Sequence, residues 1–356
     1  MDNCVIPHGY KATALGIIPQ EWEVMLLGNL SNSISSGRNK HRDAHGQYPV
    51  FGSTGIIGYS STYEYEGPVI LVARVGANAG TLNFASGQYD VSDNTLIITI
   101  KQNVYDYNFA YNQLTHYKLN KLVFGSGQPL ITSKQLKNIR IPVPPLAEQR
   151  KIAEVLGVWD KAIEKQARLI EKLALRKRAL MQRLLSAKLR LPGFSEPWKK
   201  VKLGDVAELY QPQTIQSEDL SQTGYPVYGA NGLIGYYNNY NHEYPQVVIT
   251  CRGSSCGTVN FTPGKCWITG NAMVLNVDNN RDVNKSFFYY LISNSSFVNL
   301  ISGSGQPQIV RQPLLKFELR IPPLKEQTAI AEVLTAADRE IDLAKEKLER
   351  LRRQKR

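Results

Sequence analysis

No apolar run in the 356-residue sequence approaches the ~18 residues that a membrane span needs. The first stretch, "MDNCVIPHGYKATALGIIPQEWEV", lacks the basic start and apolar core of a secretory signal. A cytoplasmic protein with no membrane partner is expected. Cysteine is scarce. Cys4 stands alone, no Cys-x2-Cys pair occurs, and no histidine follows Cys251, Cys256 and Cys266, because the last one is His242. This spacing argues against zinc and for reduced structural thiols.

Catalytic signatures are missing too. There is no Gly-x4-Gly-Lys-Ser/Thr loop for ATP and no Gly-x-Gly-x-x-Gly after a strand. The Asp/Glu-x-Lys triplet common in metal-dependent nucleases is absent, and "NFAY" at Asn108 lacks both prolines of an adenine-methyltransferase loop. His8, His41, His45, His116 and His242 are dispersed without a companion that would suggest a triad or a metal. His41 and His45 share i,i+4 spacing, but Gly46 and polar surroundings favour a loop. The inventory assigns this chain no catalytic residue and no metal ligand, and predicts a non-enzymatic protein.

What the sequence does contain, it contains twice. "YPVFGSTGIIGY" (Tyr48–Tyr59) returns as "YPVYGANGLIGY" (Tyr225–Tyr236), and "GANAGTLNF" (Gly76–Phe84) as "GSSCGTVNF" (Gly253–Phe261). "VFGSGQPLI" (Val123–Ile131) returns as "ISGSGQPQI", and "PPLAEQRKIAEVL" (Pro144–Leu156) as "PPLKEQTAIAEVL" (Pro322–Leu334). The opening segments "PQEWEVMLLGNL" and "SEPWKKVKLGDV" also match. Order is kept throughout, which identifies a tandem duplication.

Each copy reads as a mixed α/β (α+β) domain. "GPVILVARV", "NTLIITI", "QVVITCR" and "AMVLNV" are strand-like. Helix-like stretches follow at Asn108–Val123 and Lys285–Ile301. The alternating "LKNIRIPVPP" and "LKFELRIPP" then predict a strand closed by prolines. Beyond the prolines the period becomes helical, with Glu148 and Glu326 in a first turn that suits negative charge. Ile152, Leu156, Trp159, Ile163, Gln166, Ile170, Leu173, Lys177, Leu180 and Leu184 are spaced 4,3,4,3, a heptad seam with two polar positions. Ile330, Leu334, Ala337, Ile341, Ala344, Leu348 and Leu351 repeat that seam in phase, where a full second copy would continue to about residue 362.

A chain leaving one domain along the first helix and returning along the second predicts an antiparallel coiled-coil pair. About 38 helical residues would span roughly 57 Å. The expected molecule is a pseudo-two-fold dumbbell: domain one (1–147), central helix (148–190), domain two (191–325) and C-terminal helix (326–356).

The net charge of +12 suggests a polyanionic partner, and more than half of the excess lies in residues 148–190. Arg74 and Arg252 come straight off strands into glycine-rich turns, a place for a base or phosphate contact or for an ion pair. Arg38, Lys40 and Arg42 form a basic run that copy two replaces with "QPQTIQSED". In the Gly-Ser-Gly-Gln-Pro loop the glycines let backbone amides approach a phosphate, and Gln128 or Gln306 offers an amide to an adenine edge or to a phosphate. A tight turn that only stabilises the domain would use the same residues. Lys134 and Arg311 lie close behind. Tyr59 and Tyr236 end matching turns, where base contact and packing remain equally open.

The duplicated "IPVPPLAEQRKIAEVL" text after α/β domains, with "YPVYGANGLIGY" and "GSGQPQI", resembles the specificity subunit of type I restriction–modification systems over essentially the whole chain. The resemblance implies two target recognition domains, each reading half of a split asymmetric site on double-stranded DNA. It implies helices that set the spacing and dock partners. Two modification subunits would bring S-adenosylmethionine, and motor-nuclease (restriction) subunits would bring ATP and Mg. Two other classes are weighed against it, a stand-alone DNA-modifying enzyme and a structural dumbbell that binds protein only.

Overall fold

The computed structural model describes residues 6–40, 42–43, 45–125, 129–229, 232–303 and 305–355. Its helices are α1 (Leu27–Leu30), α2 (Tyr107–Tyr117), α3 (Ser133–Lys137), α4 (Leu146–Leu184), α5 (Leu203–Val206), α6 (Lys285–Ser293), α7 (Arg311–Leu315) and α8 (Leu324–Lys355). Met1–Ala162 and Ile163–Gln354 form the bodies of two compact units.

In the first unit a four-stranded antiparallel sheet runs in the order Ser31–Ser36, Thr95–Ile100, Val69–Ala73, Leu82–Ala85. Its two central strands are apolar at nearly every position because both faces are covered. Ile70, Val72, Leu96 and Ile98 pack toward Phe109 and Leu114 of α2, while Val69, Leu71 and Ile97 meet Tyr89 and Val91 of a second sheet. That sheet has the order Gly55–Ser60, Tyr48–Gly52, Gln88–Val91, Tyr65–Glu66, with one parallel pairing between Tyr48–Gly52 and Gln88–Val91.

The second unit repeats the plan with Glu208–Tyr210, Ala272–Asn276, Val247–Thr250 and Val259–Phe261. Its smaller sheet orders Gly232–Tyr237, Tyr225–Gly229 and Trp267–Ile268, again with the last pairing parallel. A further two-stranded pair in each unit joins the opening segment to the strand before the prolines, Glu23–Leu26 with Arg140–Val143 and Lys199–Lys202 with Glu318–Ile321.

Two predicted elements are shorter than their sequence pattern. α2 stops at Tyr117 because Lys118 turns left-handed (φ 59°), and a 3₁₀ turn, Leu119–Leu122, follows. Lysine is not the glycine that normally marks such an end. α6 likewise stops at Ser293, where Ser295 Oγ bonds back to the Leu291 carbonyl. Leu136 and Lys137 belong to α3 rather than to the strand, since Thr132 and Gln135 form a capping box ahead of them.

The repeated Pro-Pro-Leu-x-Glu-Gln text has a specific structural task. Gln149 is fully buried; its amide donates to the Val104 and Pro144 carbonyls, and its Oε1 accepts from the backbone N–H of Asp106. Gln327 does the same with Asp282, Pro322 and Asn284. Asp106 and Asn284 are the N-caps of α2 and α6, so each glutamine fastens the start of a core helix to the start of a long one. Glu148 and Glu326 lie in first turns and also accept the indole N–H of Trp22 and Trp198, tying in the opening segments.

The seam of α4 is buried or half-buried at all ten predicted positions, and that of α8 at all seven. Within the second unit the stretch of α4 after Ile163 pairs antiparallel with α8. Leu173 packs with Ile341 and Ala344 and with the half-buried Ile170, while Leu184, Ile330 and Leu334 enter the domain core. Ile152, in the first unit, packs against that unit's core; Leu156, Trp159 and Ile163 are half-buried, and Leu348 is buried. Both polar seam positions have partners. The Gln166 amide donates to the Ala344 carbonyl at 2.9 Å, and Lys177 pairs with Asp338, which also accepts from the Tyr290 hydroxyl. Asp160 and Lys355 of the first unit, at the repeat-equivalent positions, are paired as well.

Candidate nucleic-acid interface

The repeated loops, about fifty residues apart in each copy, meet at one end of the central sheet. In the first unit Gly76 N–H bonds to the Pro129 carbonyl and Ile131 N–H to the Arg74 carbonyl, while Leu130 bridges both Val75 and Phe124. In the second, Gly253 N–H bonds to the Pro307 carbonyl and Ile309 N–H to the Cys251 carbonyl, while Gln308 bridges Arg252 and Ser302. The first glycine of each loop needs its freedom. Gly125 and Gly303 sit at φ 100° and 93°, and a Cβ on Gly303 would lie 2.6 Å from the Gln306 carbonyl oxygen. The tight turn and the exposed loop are thus one structure.

Arg74 is half-buried, and its Nη1 donates to Ser36 Oγ at 3.2 Å, where the edge strand ends. The basic run starts two residues later. It is anchored by the N–H groups of Arg38 and Asn39, both bonded to the Val91 carbonyl. The Arg38 side chain is 82% exposed, with Glu64 at 3.8 Å. Lys40 is exposed, and Arg42 is exposed and donates to Asn39. The structure therefore brings Arg38, Lys40, Arg42, Arg74 and the Gly76–Thr81 turn to one end of the first sheet. Lys134, exposed on α3, follows shortly after Ile131.

The second unit is arranged alike but charged differently. Arg252 and Gln306 are exposed there, and the loop replacing the basic run carries Glu218 and Asp219 on a 3₁₀ turn. Arg311 departs from its predicted role in part, because its Nε donates to the Leu209 carbonyl at 2.7 Å and holds α7 to the edge strand. Gln128 lies outside the described residues. Tyr59 is 48% exposed, whereas Tyr236 is half-buried.

Other polar groups are structural. Cys251 and Cys266 are buried, and burial pushes the Cys251 thiol up to about 11. His242 is buried and its pKa is lowered, chiefly by desolvation. The Asn241 amide is oriented by its bonds to Ile268 N–H and C=O, so its oxygen faces His242 Nδ1 at 2.6 Å. Nδ1 then carries the proton, and Nε2 accepts from the Tyr210 hydroxyl at 2.9 Å. Among the described residues no group of three or more His, Cys, Asp or Glu could hold a metal ion, and no helix is long and apolar enough to cross a membrane.

A second duplicated feature lies where each core helix meets its long helix. In the first unit a hollow of about 660 Å³ is bounded by Asp106, Asn108, Arg150, Glu154, Gly157 and Lys161 among others. In the second a hollow of about 340 Å³ is bounded by the repeat-equivalent Asn284, Ser286, Thr328, Glu332, Thr335 and Arg339.

Comparison with known proteins agrees with this duplicated layout. The chain is 25% identical to the putative type I restriction enzyme MjaX specificity subunit of Methanocaldococcus jannaschii, covering 98% of this chain and 94% of that protein. It is 23% identical to the MjaVIII specificity subunit of the same organism, covering 95% and 91%. The crystal structure of a type I restriction–modification S subunit from M. genitalium has the same fold, with a TM-score of 0.68 at 19% identity over 94% of each chain. The sequence model of the type I restriction modification DNA specificity domain matches residues 19–174 and again 195–353, and the chain belongs to that family.

Proposed function

We propose that this chain is the DNA-reading subunit of a type I restriction–modification complex, each unit recognising one half of a bipartite, asymmetric site on double-stranded DNA. One observation carries the reading: the same loop cluster stands at the end of the central sheet in both units, but its flanking loop is basic in one and acidic in the other. Shared backbone geometry with different side chains is what two readers of different sequences need. Arg38, Lys40, Arg42 and Lys134 supply phosphate contacts in the first unit. Arg74, Arg252 and Gln306 are placed for base edges, and Gln128 shares the repeat position of Gln306.

The chain itself is non-catalytic in this reading. S-adenosylmethionine, ATP and Mg belong to modification and restriction subunits that dock on it, with the paired long helices setting the distance between half-sites. Two like hollows beside α4 and α8 support two like modification subunits.

The test is selection of duplexes from a random library by the chain co-purified with its methyltransferase subunits, followed by mapping of methylated adenines. Two short conserved half-sites around a fixed unspecified spacer are expected, with retention that falls steeply as salt rises. One uninterrupted motif, or no salt-sensitive retention, would overturn the reading. So would methyl transfer by the purified chain alone.

A further inference from the structure

Both units carry a hairpin that exposes two consecutive aliphatic side chains to solvent. In the first, Tyr48–Gly52 turns through Ser53 and Thr54 into Gly55–Ser60, with Gly55 at φ 98°. The ladder shifts: Val50 pairs with Gly58 and Phe51 with Ile56, leaving Ile57 as the extra residue of a bulge. In the second, Val227 pairs with Gly235 and Tyr228 with Leu233, leaving Ile234. The bulge breaks the strand's alternation, so consecutive aliphatic side chains reach solvent. Ile56 and Ile57 are 53% and 39% exposed, Leu233 and Ile234 50% and 45%. Ile57 leans over Gly52, where a Cβ would lie 2.5 Å from its Cδ1.

The surroundings of the first hairpin select its occupant. A Cβ on Gly55 would lie 3.5 Å from Asn83 Oδ1, two residues beyond the arginine-bearing turn, so this hairpin borders the loop cluster. Arg42 runs beside Gly58, and Asp43 N–H bonds to the Tyr59 carbonyl, which sets the basic run along the hairpin. Exposed aliphatics flanked by cations that suit phosphates match a side-chain wedge between stacked base pairs. We infer that Ile56–Ile57, and by repetition Leu233–Ile234, insert at a base step of their own half-site and partly unstack it. This rests on the DNA-reading function proposed above.

The probe is a duplex selected by the wild-type full chain with its methyltransferase subunits, carrying 2-aminopurine at each half-site position in turn. Wild type should raise the fluorescence at one step in each half-site. Ile56→Ala/Ile57→Ala should abolish the signal in one half-site only and weaken binding on the order of 10- to 30-fold. Its salt slope should stay unchanged, whereas Arg38→Ala should lower that slope by about one. Leu233→Ala/Ile234→Ala should act on the other half-site. Ile56→Ser alone spares the packing of Ile57 on Gly52 and should reproduce the fluorescence loss with an unchanged melting temperature. If the variants bind the selected duplex as wild type does and keep its fluorescence, the wedge is refuted while the DNA-reading function stands. If they lose only the methyltransferase subunits, the hairpin is a protein contact and the wedge is refuted as well. Failure of wild type to select any duplex would instead remove the underlying function.

Discussion

Replacing Gln327 with leucine tests whether the Glu-Gln of the repeated motif is a clamp. The side chain is 1% exposed and makes three hydrogen bonds of 2.9 Å. Leucine fills a similar volume and cannot make any of them. Asp282 is exposed, so its carbonyl can turn to water, and the cost falls on the Asn284 N–H and the Pro322 carbonyl. At roughly 1–3 kcal/mol for each buried group left unpaired, less the apolar gain of leucine, the net loss is about 2–3 kcal/mol. For a domain near 150 residues this lowers Tm by roughly 6–9 °C. Hydrogen exchange should quicken at the start of α6 and stay unchanged at the start of α2, which has its own clamp in Gln149. Gln149→Leu should give the converse. A variant melting within about 2 °C of wild type, with unaltered exchange at Asn284, would show that the motif glutamine does not hold the core helix.

Three further outcomes follow from named contacts. Arg190→Met removes the cation from the buried Glu326 carboxylate and leaves it, among the described residues, the Trp198 indole N–H, and should cost the second unit about 3 kcal/mol in urea unfolding; adding Glu326→Gln should restore most of that, and no restoration would refute the pairing argument. Because burial lowers the pKa of His242, the unfolded chain takes up its proton first on acidification, so the stability tied to this residue is complete above pH ~6.5 and falls as pH drops through the lower folded value; urea midpoints should fall less with acid in His242→Gln than in wild type. Lys134→Ala should reduce the salt dependence of DNA binding without changing Tm, whereas Arg311→Ala should lower the stability of the second unit by about 1 kcal/mol through its lost bond to the Leu209 carbonyl.

The sequence made the duplication, the central strands and the seams legible because each rests on spacing along the chain. Val69–Ala73 and Val247–Thr250 read as strands from unbroken apolar runs, and the seams from a 4,3 repeat. What stayed hidden depends on partners far away. α2 ends at a left-handed lysine that no glycine announces, and the Thr132–Gln135 capping box is a two-residue signal beside a longer alternating strand pattern that runs through Leu136 and Lys137. The Gln149 and Gln327 clamps had one signal, a Glu-Gln pair kept in both copies just after the prolines, ahead of the apolar seam. The meeting of the arginine turns with the Gly-Ser-Gly-Gln-Pro loops joins segments about fifty residues apart, which a one-dimensional pattern does not pair. Lys134 and Arg311 both lie close behind the loop in the sequence, but Arg311 donates to a backbone carbonyl whereas Lys134 is exposed.

The polar seam positions explain how an otherwise repetitive helix pair keeps its register. An apolar stripe alone tolerates a slide of one heptad, because like meets like again after seven residues. Lys177 does not. Opposite Asp338 it finds a carboxylate, but a seven-residue slide would face it with Ala331 or with Lys345. Gln166 adds a steric condition. Its amide reaches the backbone carbonyl of Ala344, and a slide that put Leu351 there would block the approach. Gln166 and Ala344 are themselves repeat-mates, 178 positions apart, so the helix pair is locally two-fold where they touch. Asp338 also takes the Tyr290 hydroxyl, which ties that register to α6 and hence to the core helix fastened by Gln327. A chain whose proposed task is to hold two half-site readers at a fixed separation has reason to spend apolar seam positions on glutamine and lysine, because register, more than stability, is what a spacer must preserve.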